Sequence, residues 1–112
     1  MNQTTVPQIA PTEVAALLEN GAVLVDVREP QETAFGAAPE ASFIPLPSFT
    51  LESVSPDVAV VLICRSGARS QMAAAALAQH GFTTYNVAGG MQAWAAAGLP
   101  VVAADGNPGL VM

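Results

Sequence analysis

At 112 residues the chain has room for one compact domain, read as spanning 1–112 with its core at about 8–101, and is too short for two. No apolar run reaches the roughly 20 residues of a membrane span, and the net charge of -6 argues against nucleic acid and anionic membrane surfaces as partners. The single cysteine excludes an internal disulfide and a Cys-rich metal site. Residues 1–11 are polar and proline-containing, without the basic start and apolar stretch of a signal peptide. A soluble, cytoplasmic protein is expected.

Pro11, Thr12 and Glu13 open a short helix, with Thr12 as cap, Val14, Leu17 and Leu18 as apolar face and Gly21 as stop. Residues 22–27 (AVLVDV) form a continuous apolar run closed by Asp26 and Arg28, the pattern of a strand buried on both faces. Pro30 starts a second helix that Gly36 stops. Residues 43–46 allow only a short strand, because Pro45 and Pro47 cannot extend a ladder, and 49–54 read as a short turn. Residues 58–63 (VAVVLI) are the strongest strand. A small polar turn at 65–70 leads into an alanine-rich helix over 68–79 with Gly81 at its end. Residues 84–87 read as a strand, Gly89-Gly90 as a turn, and 91–97 as a helix. Met72, Met91 and Trp94 are assigned to the core, Glu29 and Glu32 to a solvated helix face. The tail 102–112 is weakly patterned; Asp105-Gly106-Asn107-Pro108-Gly109 looks loose and receives no structure.

Strands alternate with helices, so the fold class is α/β: a mainly parallel central sheet with helices on both faces. In such folds the working site lies at the C-terminal ends of the strands, and Cys64 directly follows the best strand. Strand, cysteine, tight turn and helix make a cradle for an anion. The first N–H groups of the helix lack intrahelical partners, the helix dipole is positive there, and Gly67 lets the turn curl its N–H groups inward. A thiolate in that ring is stabilised, and its pKa falls below the free value of about 8.5. The chain has no lysine, and two of its three arginines, Arg65 and Arg69, lie within five residues of Cys64. They can bind an incoming dianion. No metal or organic cofactor is needed. The only histidine, His80, sits at the far end of the helix, roughly 17 Å away at 1.5 Å per residue, which argues against a Cys-His pair and a cysteine protease.

The run Cys64-Arg65-Ser66-Gly67-Ala68-Arg69-Ser70 resembles the active-site loop of rhodanese domains. Leu24-Val25-Asp26-Val27-Arg28-Glu29-Pro30, the stretch from Gly36 to Ile44-Pro45-Leu46, and Val87-Ala88-Gly89-Gly90-Met91-Gln92-Ala93-Trp94 resemble three further segments of that family, in the right order. The resemblance implies a rhodanese-like fold and a thiosulfate sulfurtransferase type of transferase. Cys64 would attack a small sulfane donor such as thiosulfate and keep one sulfur as a persulfide. Cyanide or a thiol would then remove it; the alternative is a carrier module that hands the sulfur to a protein partner. Backbone N–H groups of 65–69, hence of Arg65, Ser66, Gly67, Ala68 and Arg69, would hold the outer sulfur. Arg65 and Arg69 would orient the donor's oxyanion end, and Asp26, Arg28 and Ser70 would support the loop. One departure and one spacing matter. The family's usual Gly-His-Ile-Pro-Gly-Ala reads Gly36-Ala37-Ala38-Pro39-Glu40-Ala41 here, which alters the pocket rim. Phosphatase and arsenate reductase relatives separate Cys from Arg by five residues, whereas four separate Cys64 from Arg69, a tighter ring that suits sulfur.

Overall fold

The computed structural model describes residues 5–112; Met1–Thr4 of the polar start lie outside the described residues. Five strands form one parallel sheet: β1 (Gln8–Ile9), β2 (Val23–Asp26), β3 (Ser42–Phe43), β4 (Val60–Ile63) and β5 (Thr84–Val87), in the order β1-β5-β4-β2-β3. The helices are α1 (Val14–Glu19), α2 (Pro30–Phe35), α3 (Ala68–Gln79) and α4 (Gly90–Ala96), with short 3-10 turns at Pro11–Glu13, Leu46–Ser48 and Leu51–Ser53. The α/β reading from sequence therefore holds. β4 is central and fully buried because all four of its side chains are apolar. Val60 and Leu62 face a core shared with Ala73, Ala74 and Leu77 of α3, while Val61 and Ile63 face one shared with Val14, Met91 and Trp94. This two-sided burial is what a parallel sheet covered by helices requires.

Three expectations need correction. β1 was not anticipated: two residues between Pro7 and Pro11 are too few to show a period, and the strand exists only through pairing of Gln8 with Asn86 and Ile9 with Val87. Met72 is not core but 65% exposed. The stripe of α3 that packs runs Ser70, Ala73, Ala74, Leu77, and Met72 falls on the opposite side of the helix.

The tail is not loose. Val102 bridges both Ala37 and Pro108, the Leu110 N–H donates to the Phe35 carbonyl, and Val111 packs on the α4-side core. Asp105 accepts from the Asn107 N–H at 3.0 Å, so the Asp-Gly-Asn-Pro-Gly run is turn chemistry that folds the tail back. Gly36 and Gly109 permit the contact: a Cβ on Gly109 would lie 2.6 Å from the Phe35 carbonyl oxygen and 2.8 Å from the Gly36 Cα.

Candidate active site

β4 ends at Ile63 and the chain turns at once around Cys64. Gly67 adopts φ +108°, a conformation that side chains resist. The turn brings main-chain donors onto the sulfur. The Gly67 N–H donates to Cys64 Sγ over 3.1 Å, and the nearby N–H groups of Ser66 and Ser70 also favour its thiolate. The loop's carbonyls are held on the other side: the Met91 N–H donates to the Cys64 carbonyl at 2.7 Å and the Gln92 N–H to the Arg65 carbonyl at 3.0 Å. The start of α4 thus draws the oxygens outward and leaves the N–H face for an anion.

Gly90 makes that approach possible. It has φ +55°, and an added Cβ would sit 2.6 Å from the Arg65 carbonyl oxygen and closer still to that of Cys64. Gly90→Ala is expected to cost about 1–2 kcal/mol in backbone strain alone and to displace the Cys64 loop. A lowered melting temperature together with slower Cys64 alkylation checks this; an unchanged alkylation rate would mean that α4 does not shape the cradle.

Cys64 itself is buried. Burial pushes its thiol pKa up, but the Ser70 hydroxyl and the N–H groups of Ser70, Gly67 and Ser66 outweigh it, and the net shift is downward. The Ser70 hydroxyl lies 3.3 Å from Sγ and 2.6 Å from Asn86 Oδ1. Asn86 is oriented by its own donors, which go to Gln8 Oε1 at 2.8 Å and the Gly67 carbonyl at 3.1 Å. The single Ser70 proton can therefore rest on Asn86 while sulfur is a thiol and turn to sulfur once it ionises. The rate of Cys64 alkylation should rise with pH through an inflection below the ordinary thiol value of about 8.5, and Ser70→Ala should move that inflection up. An inflection at the ordinary value, insensitive to Ser70, would contradict the cradle's effect.

Both loop arginines already have partners. Arg65 Nε donates to the Met112 main-chain oxygen at 2.6 Å, a contact supplied by the folded-back tail. Arg69 forks onto Glu32, with Nη1 to Oε1 at 2.7 Å and Nη2 to Oε2 at 2.8 Å. Glu32, expected on a solvated face, is instead only 14% exposed at its side chain and also accepts the Glu29 N–H at 3.0 Å. The Arg69 bond is the main reason its pKa falls to about 2. Asp26 and Arg28 form a buried pair at the end of β2: Arg28 Nη2 donates to Asp26 Oδ2 and to the Gly36 carbonyl, each at 2.8 Å, while Arg28 Nη1 is buried without a partner.

Ser66, Gly67 and Ala68 enter this geometry through the main chain. His80 is exposed at the other end of α3, its Nδ1 2.9 Å from the Ala76 carbonyl oxygen. Asn86 and Gln8 were missed from sequence; the one available signal was a polar Asn inside the otherwise short strand 84–87. Among the described residues no group of three His, Cys, Asp or Glu side chains is placed to hold a metal ion. A hollow of about 370 Å³ beside α2, walled by Thr33, Ala37, Phe43 and Val102 among others, includes none of the residues 64–70, so it is separate from the sulfur site.

Residues 10–97 match the rhodanese-like domain family. The chain belongs to the rhodanese-like family. It is 45% identical over 87 residues to a protein of Allochromatium vinosum named sulfurtransferase, covering 75% of this chain and 81% of that one. It is 35% identical over 104 residues to the thiosulfate sulfurtransferase GlpE of Pseudomonas fluorescens, covering 90% and 94%. A crystal structure of a rhodanese-related protein from Thermoplasma volcanium superposes with a TM-score of 0.78 at 31% identity, over 86% of this chain and 97% of that one. Within this rhodanese-like frame, Cys64 occupies the centre of the loop whose sequence carried the resemblance.

Proposed function

We propose that this protein is a sulfurtransferase that carries sulfane sulfur as a persulfide on Cys64. The observation that carries the reading is a buried thiol at the end of β4, lowered in pKa, that accepts from the Gly67 N–H and the Ser70 hydroxyl. The Cys64 thiolate attacks the outer sulfur of a donor such as thiosulfate. The donor's S–S bond breaks, and sulfite leaves with the electron pair. The N–H groups of 65–69 hold the new outer sulfur, and Arg65 and Arg69 face the donor's oxyanion end. Cyanide or a thiol, free or on a protein, then attacks that outer sulfur and Cys64 leaves as thiolate, giving thiocyanate or a new persulfide. The four-residue spacing from Cys64 to Arg69 supports sulfur over a larger tetrahedral oxyanion. A free, reactive thiol suits a reducing, cytoplasmic setting. Mass spectrometry of the intact protein after thiosulfate treatment tests the proposal: a gain of one sulfur on Cys64, removed by cyanide, is expected, and an unchanged mass would overturn it.

A further inference from the structure

The rim of the candidate site is less positive than its arginines suggest. Arg69 shares both terminal nitrogens with Glu32 in a two-pronged pair, and Glu32 is fixed from behind by the Glu29 N–H at the start of α2. The pair does not come apart by titration near neutral pH, because Glu32 ionises at about 2. Arg69 is held charged first by the Glu32 bond and further by the charges of Cys64 and Asp26. The neighbouring Asp26 is itself matched by Arg28. Glu32 and Arg69 cancel, so Arg65, whose Nε is held by the Met112 main-chain oxygen, is the remaining cation beside the Cys64 thiolate.

We infer that Glu32 is a specificity-determining residue, which neutralises Arg69 and so biases the site from dianionic donors toward sulfane donors of lower charge, of the alkyl hydropersulfide class. The inference rests on the sulfurtransferase reading above and narrows its donor. With a hydropersulfide R–S–SH, the Cys64 thiolate bonds to the outer sulfur, the S–S bond breaks, and R–S⁻ leaves with the electron pair. In this step the donor reacts as its protonated form, so one negative charge is present throughout. With thiosulfate the same thiolate must meet a dianion, and a free guanidinium would be the group to offset it.

The test measures the second-order rate of persulfide formation on Cys64 by quenched intact-mass spectrometry, with thiosulfate and with 2-hydroxyethyl hydropersulfide, at low salt. Glu32→Gln keeps an acceptor for the Glu29 N–H while removing the charge. It should raise the ratio of the thiosulfate rate to the hydropersulfide rate about tenfold. Arg69→Gln should lower that ratio by a similar factor, and the double variant should return it near the wild-type value. Added salt should shrink both shifts. A purely structural pair would slow both donors together and leave the ratio within about twofold, which would overturn the inference. Should the wild-type protein load sulfur from neither donor, the sulfurtransferase reading fails first and this inference with it.

Discussion

Cys64→Ser should leave a folded protein that takes up no sulfur. Serine differs from cysteine by one atom, and its hydroxyl can accept the Gly67 N–H that now reaches Sγ at 3.1 Å, so the cradle keeps its shape. The chemistry does not survive. A hydroxyl in this site has no paired base, since His80 is exposed at the far end of α3, and a few N–H donors do not bring an alcohol near ionisation at neutral pH. The chain has no second thiol to take over. Thiosulfate should therefore give no mass increase, and thiocyanate production should fall by several orders of magnitude to the uncatalysed background. Intact mass and a thiocyanate assay on the same preparation, with circular dichroism to verify folding, check both halves. Normal turnover in Cys64→Ser would end the persulfide mechanism.

The largest loss of stability is expected at Asp26. Its carboxylate accepts the Arg28 backbone N–H at 3.0 Å, and the Arg28 guanidinium through Nε and Nη2. Both side chains are fully buried. Asp26→Ala leaves a guanidinium in the core with the Gly36 carbonyl as its remaining partner and with Nη1 already unsatisfied. Breaking one side of a buried pair costs about 3–5 kcal/mol, a large part of the roughly 5–15 kcal/mol that holds a domain together. Replacing both members by apolar residues, Asp26→Leu with Arg28→Met, should cost less than Asp26→Ala alone, because no charge is then stranded. Urea unfolding of the two variants decides it. A single variant as stable as the wild type would mean that water reaches Arg28.

Much of the frame was legible along the chain. The strand at 84–87 and the helices at 30–35 and 68–79 are found at those bounds, because each carries its own local signals: Pro at a helix start, Gly after a helix end, and β-branched and aromatic residues over a strand's length. The position of Cys64 followed from the order of elements, and its neighbours Arg65, Ser66, Gly67, Ala68 and Arg69 from adjacency. What went unread has partners far away in sequence. Glu32 looked solvated because nothing near it in the chain is positive except Arg28; its partner lies 37 residues on. Asn86 and Gln8, which orient Ser70, are 78 residues apart, and neither type announces a buried network by itself.

For this protein, the sequence by itself determined where the sulfur sits and what surrounds it locally. A strand, a glycine-bearing turn and a helix start are made by neighbouring residues, which set the N–H groups around the sulfur before α4 closes on the loop's carbonyls. Only the tertiary structure decided the electrostatics of the rim. Whether Arg69 is free or neutralised depends on how α2 lies against the start of α3, and whether Arg65 is held depends on the tail folding back through the contact of Gly36 with Gly109. Charge carries over space and not along sequence, so a cation's availability is fixed by what packing brings within hydrogen-bond reach of it.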